Sequence, residues 1–151
     1  GEVLSLLPAL AAWLEAWGAS LAAAGLSPSQ AAAFAAAASE FWLYLVDTLA
    51  RFSEHPDFEV RSAATSALQR AAVSGEGLGV LPAALERGLA GRVLPQLEAL
   101  AKRAARSGAR GAMPKADATA ADLVRVATKM VLLYSPQLAA LPGFGALWAQ
   151  R

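Results

Sequence analysis

Three side chains that could perform hydrolytic chemistry, Ser53, His55 and Asp57, lie within five residues of one another, and His55 is the only histidine of the chain. A catalytic triad needs a base that hydrogen-bonds to both a nucleophile and an orienting acid, usually from separate elements. Three residues of one turn meet this requirement poorly. The sequence therefore predicts that they shape a turn and cap a helix, and we assign no catalytic residue.

Metal and cofactor chemistry has equally little support. The chain has no cysteine, and its carboxylates around this turn lack the spacing of a calcium loop. Residues 74–79 read Ser-Gly-Glu-Gly-Leu-Gly, but a dinucleotide or phosphate loop would follow a strand and, in the P-loop, carry a lysine. We expect an interhelical turn there, no metal site and no cofactor.

One local cluster of positive charge remains as a candidate contact for a partner or a lipid: Lys102, Arg103, Arg106, Arg110 and Lys115. Cations near the end of a helix complement its dipole without any partner. The alternative is contact with anionic headgroups or an acidic protein surface. The formal net charge of +1 is too small to attract nucleic acid through the whole domain, and we expect no such partner.

The elements that would position these residues are amphipathic helices. Before the break at His55-Pro56, five large apolar residues share one helical stripe; after it, a second stripe consists mainly of small residues. The first stripe is Trp42, Leu45, Val46, Leu49 and Phe52, and the second is Val60, Ala64, Ala67, Leu68 and Ala71. Such a hairpin cannot cover its own apolar face without neighbours. We predict an all-α fold, a HEAT/armadillo-like α-solenoid of antiparallel helical hairpins.

Further helices are indicated on both sides of this hairpin. Residues 2–24 form one apolar segment on which Trp13 and Trp17 fit a core stripe, and Ser27 with Gln30 forms a capping box that opens the next helix. A helical region from 81 to about 106 should bend or divide near Gly88, Gly91 and Pro95.

The last third of the chain should begin with a loop. Residues 107–118 are predicted to be mobile, and Thr119 with Asp122 offers a second capping box. The helix that follows carries a stripe of Leu123, Val126, Ala127, Met130 and Tyr134. Pro136 and Pro142-Gly143 should divide the end of the chain, where Trp148 is a candidate exposed contact.

The hydrophobic fraction of 56% and the mean hydropathy of +0.41 raise the question of a membrane span. The two long uncharged runs, residues 16–39 and 130–150, are interrupted by Gly, Ser or Pro, so neither is expected to span a bilayer. We expect residues 1–151 to form a single helical-repeat domain that is a fragment of a longer protein.

An ordered set of motifs adds a resemblance to a known family. These are Asp57, Glu59-Val60-Arg61, Leu68-Gln69-Arg70-Ala71, Val93-Leu94-Pro95, Leu141-Pro142-Gly143-Phe144 and Leu147-Trp148. Together they resemble the C-terminal HEAT-like helical region, of the type called HDS, in the large Golgi-type Arf guanine-nucleotide exchange factors. This is the brefeldin-A-resistance class. The resemblance spans about residues 41–151.

This resemblance implies a non-catalytic regulatory region, because the Sec7 domain that exchanges nucleotide in the family has no counterpart here. It implies protein partners, namely other domains of the parent chain and small GTPases, with an anionic membrane surface as a further contact. It also implies a cytoplasmic location with peripheral association to Golgi membranes. The alternative is a generic HEAT-like adaptor or scaffold unrelated to Arf exchange, and a Sec7 domain encoded upstream would distinguish the two.

Overall fold

The computed structural model describes residues 2–107 and 115–145. Helices make up nearly all of these two ranges, which contain no β-strand, so the prediction of an all-α fold is confirmed. The helices are α1 (Glu2–Ala23), α2 (Pro28–Phe52), α3 (Phe58–Val73), α4 (Gly75–Leu78), α5 (Pro82–Gly88), a π-helical segment (Leu89–Val93), α6 (Leu94–Ser107) and α7 (Ala116–Ala139).

The first hairpin consists of α2 and α3. The predicted capping box opens α2: Ser27 Oγ accepts from the Gln30 amide at 3.3 Å, and Gln30 Oε1 accepts from the Ser27 amide at 3.0 Å. Pro28 occupies the first turn, where its missing N–H costs nothing. The indole of Trp42 reaches Ala71 near the far end of α3, so the two helices are antiparallel. Their predicted stripes are buried except at Val60, which is half-buried, and Phe52, which is exposed.

A second hairpin pairs the rod formed by α5, the π segment and α6 with α7. The sequence predicts that the rod bends or divides near its glycines; the structure instead has a continuous helix with a π-helical turn at residues 89–93. The amide of Leu94 donates to the carbonyl of Leu89, five residues earlier, which is the hydrogen bond of a π-helix. All five residues of the predicted α7 stripe are buried, so α7 presents that face to the core.

The two hairpins lie side by side in the same sense. Successive contacts between α2 and the rod run in the same direction along both helices: Ser39 meets Leu81, Trp42 meets Gly88 and Asp47 meets Arg92. Contacts between α3 and α7 do likewise: Arg61 meets Thr119, Thr65 meets Asp122 and Ala72 meets Tyr134. The first helices of the two hairpins, α2 and the rod, are therefore parallel, and so are the second helices, α3 and α7. Successive helical repeats pack in this way.

The start of α7 differs from the prediction. The helix begins at Ala116, three residues before Thr119, and Lys115 is its N-cap with φ 54°. Thr119 is consequently buried inside the helix instead of capping it, because its hydroxyl accepts from Arg61 Nε at 3.1 Å. Residues 116–118 of the predicted mobile loop are thus helical, and residues 108–114 lie outside the described part.

The end of α7 also differs, because the helix continues through Pro136 to Ala139. Proline cannot donate to the carbonyl four residues earlier, here Leu132. The hydroxyl of Ser135 instead lies 3.5 Å from that oxygen and donates to it. The predicted division at Pro136 is therefore wrong. Beyond α7 the chain turns at Gly143, whose φ is 84°, and Trp148 lies outside the described residues.

Helix α1 contacts α2, α3 and α4. It ends at Ala23, shortly before Gly25 with φ 82°, as expected. The placement of Trp13 and Trp17 in the core was wrong, because both side chains are exposed. Leu14 and Leu21 are half-buried, so the body of the protein covers only part of the predicted apolar stripe. Within residues 2–107 and 115–145, no helix combines the length and hydropathy that a bilayer span requires.

Candidate interaction surface

The three residues with the types of a hydrolase triad make local bonds that shape the turn between α2 and α3. Ser53 is buried, and its hydroxyl donates to the Ala50 carbonyl at 2.5 Å. His55 Nδ1 accepts from the Asp57 amide at 3.0 Å, and Asp57 Oδ1 accepts from the Glu59 amide at 2.8 Å. The prediction of a turn-forming and capping role is confirmed.

The glycine-rich residues 74–79 contain more structure than the predicted turn. Residues 75–78 form the short helix α4, and Gly79 ends it with φ 67°. A Cβ atom at Gly75 would lie 2.6 Å from the hydroxyl of Tyr134. The glycine is therefore required by the close packing of α4 on α7. Among the described residues, no cluster of His, Asp and Glu side chains could hold a metal ion.

A buried arginine, Arg61, ties this turn to α7. Its Nη1 donates to the carbonyls of His55 at 2.8 Å and Pro56 at 3.0 Å, and its Nε donates to Thr119 Oγ1. Polar acceptors from the α2–α3 turn and from α7 make the burial of Arg61 tolerable. Helical spacing alone could not predict this arrangement.

The predicted basic cluster is only partly assembled by the described residues. Lys102, Arg103 and Arg106 are exposed on the last two turns of α6, where cations complement the helix dipole. Arg103 faces Glu54 across 4.0 Å, and Lys115 places its Nζ 4.3 Å from the ring centroid of Phe58. Arg110 lies outside the described residues. A role of this cluster in binding stays a prediction.

Beside the cluster, the exposed side of α2 forms a cleft of about 710 Å³ with charges of both signs. Asp47 lines this cleft, and its carboxylate pairs with Arg51 at 2.9 Å and with Arg92 at 2.8 Å. The pair with Arg92 joins α2 to the π segment. This pairing could not be predicted from helical spacing, because Arg92 comes from a different hairpin. Exposed pairs of this kind contribute little to folding.

The described residues also form two apolar grooves. One, of about 320 Å³, lies between α6 and α7 and is lined by Leu94, Leu97, Val124, Ala127, Thr128, Val131 and Leu132. The other, of about 350 Å³, lies between α1 and α2 and is lined by Leu10, Trp13, Leu14, Trp17, Phe34, Ala37, Ala38 and Phe41. Open apolar grooves between helices are the usual docking places for further helices.

Paired helical hairpins with apolar grooves between their helices define a helical-repeat protein. Residues 42–151 match the family described as the GBF1-like tetratricopeptide repeat region. The chain belongs to this family, which confirms the resemblance to the large Arf exchange factors. The match begins within α2, so α1 lies outside it. Neither curated proteins nor solved structures gave a match to the chain.

Proposed function

We propose that this chain is a non-catalytic interaction and regulatory region of a large Arf guanine-nucleotide exchange factor that acts in Golgi vesicle traffic. The observation that carries the proposal is the family match over residues 42–151. The chain would position its parent protein through contacts between helices, since the described polar side chains near the α2–α3 turn are engaged in shaping the fold.

The packing of the hairpins supports an α-solenoid as the architecture of this region. The Leu81 amide donates to Ser39 Oγ of α2, and Tyr134 of α7 donates to the Ala72 carbonyl of α3, so each helix of the first hairpin meets its counterpart in the second. A third hairpin would extend the stack by covering the groove between α6 and α7, where Val124 and Leu132 are exposed. Other domains of the parent chain and small GTPases are the proposed partners of the outer surfaces.

The basic end of α6 supports a peripheral membrane contact. Each cation close to an anionic leaflet adds about 1 kcal/mol of attraction. Lys102 and Arg106 are exposed one helical turn apart, so a parent protein already held at a Golgi membrane would gain further affinity from them. The proposed location is cytoplasmic, on the surface of Golgi membranes.

The groove provides the test of this proposal in the full-length exchange factor. Val124→Asp places a charge in the α6–α7 groove, whereas Val73→Asp changes a side chain of similar exposure, 43% against 47%, outside that groove. We expect the first variant to lower Golgi recruitment in cells severalfold and the second to leave it unchanged. Equal recruitment of both variants and the parent would contradict a role for this region in positioning.

A second measurement addresses catalysis. The 151-residue chain alone, incubated with Arf and labelled nucleotide, should leave the exchange rate at its spontaneous value. A Sec7 domain added in parallel supplies the positive control. Acceleration by the chain alone would show that the non-catalytic part of the proposal is wrong.

A further inference from the structure

Four exposed apolar side chains form a ridge along α1: Leu6, Leu10, Trp13 and Trp17, which are 59%, 50%, 63% and 49% exposed. We call these four residues the α1 ridge. Their spacings of four, three and four residues follow the heptad repeat of helices that pair side by side. A ridge of this kind is typical of a helix that has a helical partner along its length.

The Trp17 end of the ridge packs against α2. Trp13 and Trp17 stack with their ring centroids 5.7 Å apart, and Trp17 lies edge-on to Phe34 of α2 at 6.5 Å. A Cβ atom at Gly18 would come within 2.7 Å of the Phe34 ring, so α1 lies directly against that side chain. The indoles therefore form a preorganised surface, which lowers the entropy cost of binding.

We propose that the partner of the α1 ridge is a second copy of this chain, with the two α1 helices antiparallel around a twofold axis. An axis between Leu10 and Trp13 places Leu10 opposite Trp13 of the other copy and Leu6 opposite its Trp17. Each indole then faces a smaller leucine, which is the alternation of large and small side chains that close packing favours. A parallel pair would instead oppose indole to indole.

The charges near the ridge permit this pairing. Residues 1–50 contain no Lys or Arg, and residues 16–39 contain no charged residue at all. The Glu15 carboxylate is directed towards α4, where it would collide with a Cβ atom at Gly77, and so it does not lie on the ridge. Repulsion between like charges at this position would therefore be small.

The exposed area sets the expected strength. If a fully exposed large apolar side chain offers about 200 Å², the four exposed fractions leave roughly 450 Å² on each copy, or about 900 Å² for the pair. This area is slightly below the roughly 1,000 Å² of a specific stable interface. We therefore expect a weak dimer.

Sedimentation velocity of the 151-residue chain from 1 to 200 μM tests the proposal. The chain should change from monomer to dimer over this range, while Trp13→Glu and Leu10→Lys should each stay monomeric. A mixture of these two variants should form a heterodimer, because the antiparallel pair places position 10 opposite position 13. Leu81→Glu, an equally drastic change at a leucine that is 45% exposed before α5 and outside the grooves described above, is the matched control and should still dimerise.

Circular dichroism of each variant confirms that it is folded, as expected for changes at exposed positions. A wild-type chain that remains monomeric at 200 μM would overturn the proposal, and so would a dimer that survives Trp13→Glu. Failure of the mixed variants to associate would exclude the antiparallel arrangement. Binding of the monomer to neutral phosphatidylcholine vesicles, lost in Trp13→Glu, would instead identify the ridge as a lipid contact.

Discussion

Trp42 and Tyr134 donate hydrogen bonds to adjacent carbonyl groups at the end of α3. The indole Nε1 lies 2.9 Å from the Ala71 oxygen, and the phenol lies 2.5 Å from the Ala72 oxygen. Carbonyls in the last turn of a helix lack amide partners further along the helix, and Ala71 O also accepts from the Ser74 hydroxyl at 2.7 Å. The two aromatic side chains add bonds that join α2, α3 and α7 at one place, which we call the Trp42–Tyr134 node.

Gly88 lies against the Trp42 ring of this node, where only glycine fits, so Gly88→Ala should destabilise the fold. A Cβ atom at Gly88 would lie 2.5 Å from the Trp42 ring, and overpacking of a buried aromatic side chain costs about 1–3 kcal/mol. Urea denaturation should show this loss in the free energy of unfolding. Gly91→Ala is the matched control: it has nothing within 4 Å, and it should be neutral or stabilise by up to about 1 kcal/mol. Equal effects of the two changes would contradict the packing of the node.

The phenol of Tyr134 should make the stability of the fold depend on pH in alkali. Burial raises the pKa of Tyr134 from 10.0 to about 12. Between these values the unfolded chain has lost the proton and the folded chain retains it, so stability is fully present below pH 10 and falls as pH rises to 12. The fall should be about 2–3 kcal/mol, since one pKa unit corresponds to about 1.4 kcal/mol.

Tyr134→Phe isolates this contribution, because the two proteins differ only in this hydroxyl. At pH 7 the variant should be less stable by about 1 kcal/mol, owing to the lost hydrogen bond. Denaturation curves at pH 7, 10 and 11.5 should show this difference shrink and then reverse. A difference that stays constant with pH would contradict the burial of the phenol.

The buried guanidinium of Arg61 should be among the most sensitive polar groups of the described structure. Arg61→Leu removes the donors to two loop carbonyls and to Thr119, and we expect a loss of about 3–5 kcal/mol. Thr119→Val removes only one acceptor and should cost about 1 kcal/mol. The double variant should lose less than the sum of the single losses, by about 0.5–3 kcal/mol, since the residues share a bond. Additive losses in thermal unfolding would argue against that bond.

Neutralising the predicted basic cluster should weaken binding to anionic vesicles. Replacing Arg103, Arg106, Arg110 and Lys115 by Gln should lower the affinity for phosphatidylserine liposomes at least tenfold in low salt, as about 1 kcal/mol is lost per cation. Helical content should stay intact. The control replaces four other exposed arginines, Arg51, Arg70, Arg87 and Arg125, and removes the same charge. If both sets weaken binding equally, net charge and not the cluster is responsible.

The sequence predicted what depends on neighbours along one helix. The stripes of α2, α3 and α7 and the capping box of Ser27 follow from local spacing and hydrogen bonding, and all were found. Prediction from local spacing failed where a residue distant in the sequence determines the conformation or contacts of a side chain. Thr119 has the sequence context of an N-cap, but Arg61, which lies 58 residues away, holds its hydroxyl inside the helix instead.

The same limit applies to the surface. Trp13 and Trp17 have the periodicity of core residues, but spacing alone does not show whether another element covers their side chains. The pairing of Asp47 with Arg92 likewise depends on how the hairpins stack. Of the predicted basic cluster, spacing correctly placed Lys102 and Arg106 on one helix end, but the path of the chain towards Lys115 could not be derived from it.

The π-helical turn at residues 89–93 has a consequence for how this region tolerates insertions and deletions. An α-helix rotates by about 100° per residue, so the additional residue held in the wide turn determines which side of the later rod meets α7. Loss of one residue there would give a regular helix but rotate Leu97 and Leu100 away from their places. The π-helical turn thus fixes the rotation of α6 relative to α5 about the axis of the rod. Insertions and deletions are better accommodated in the connections outside the rod.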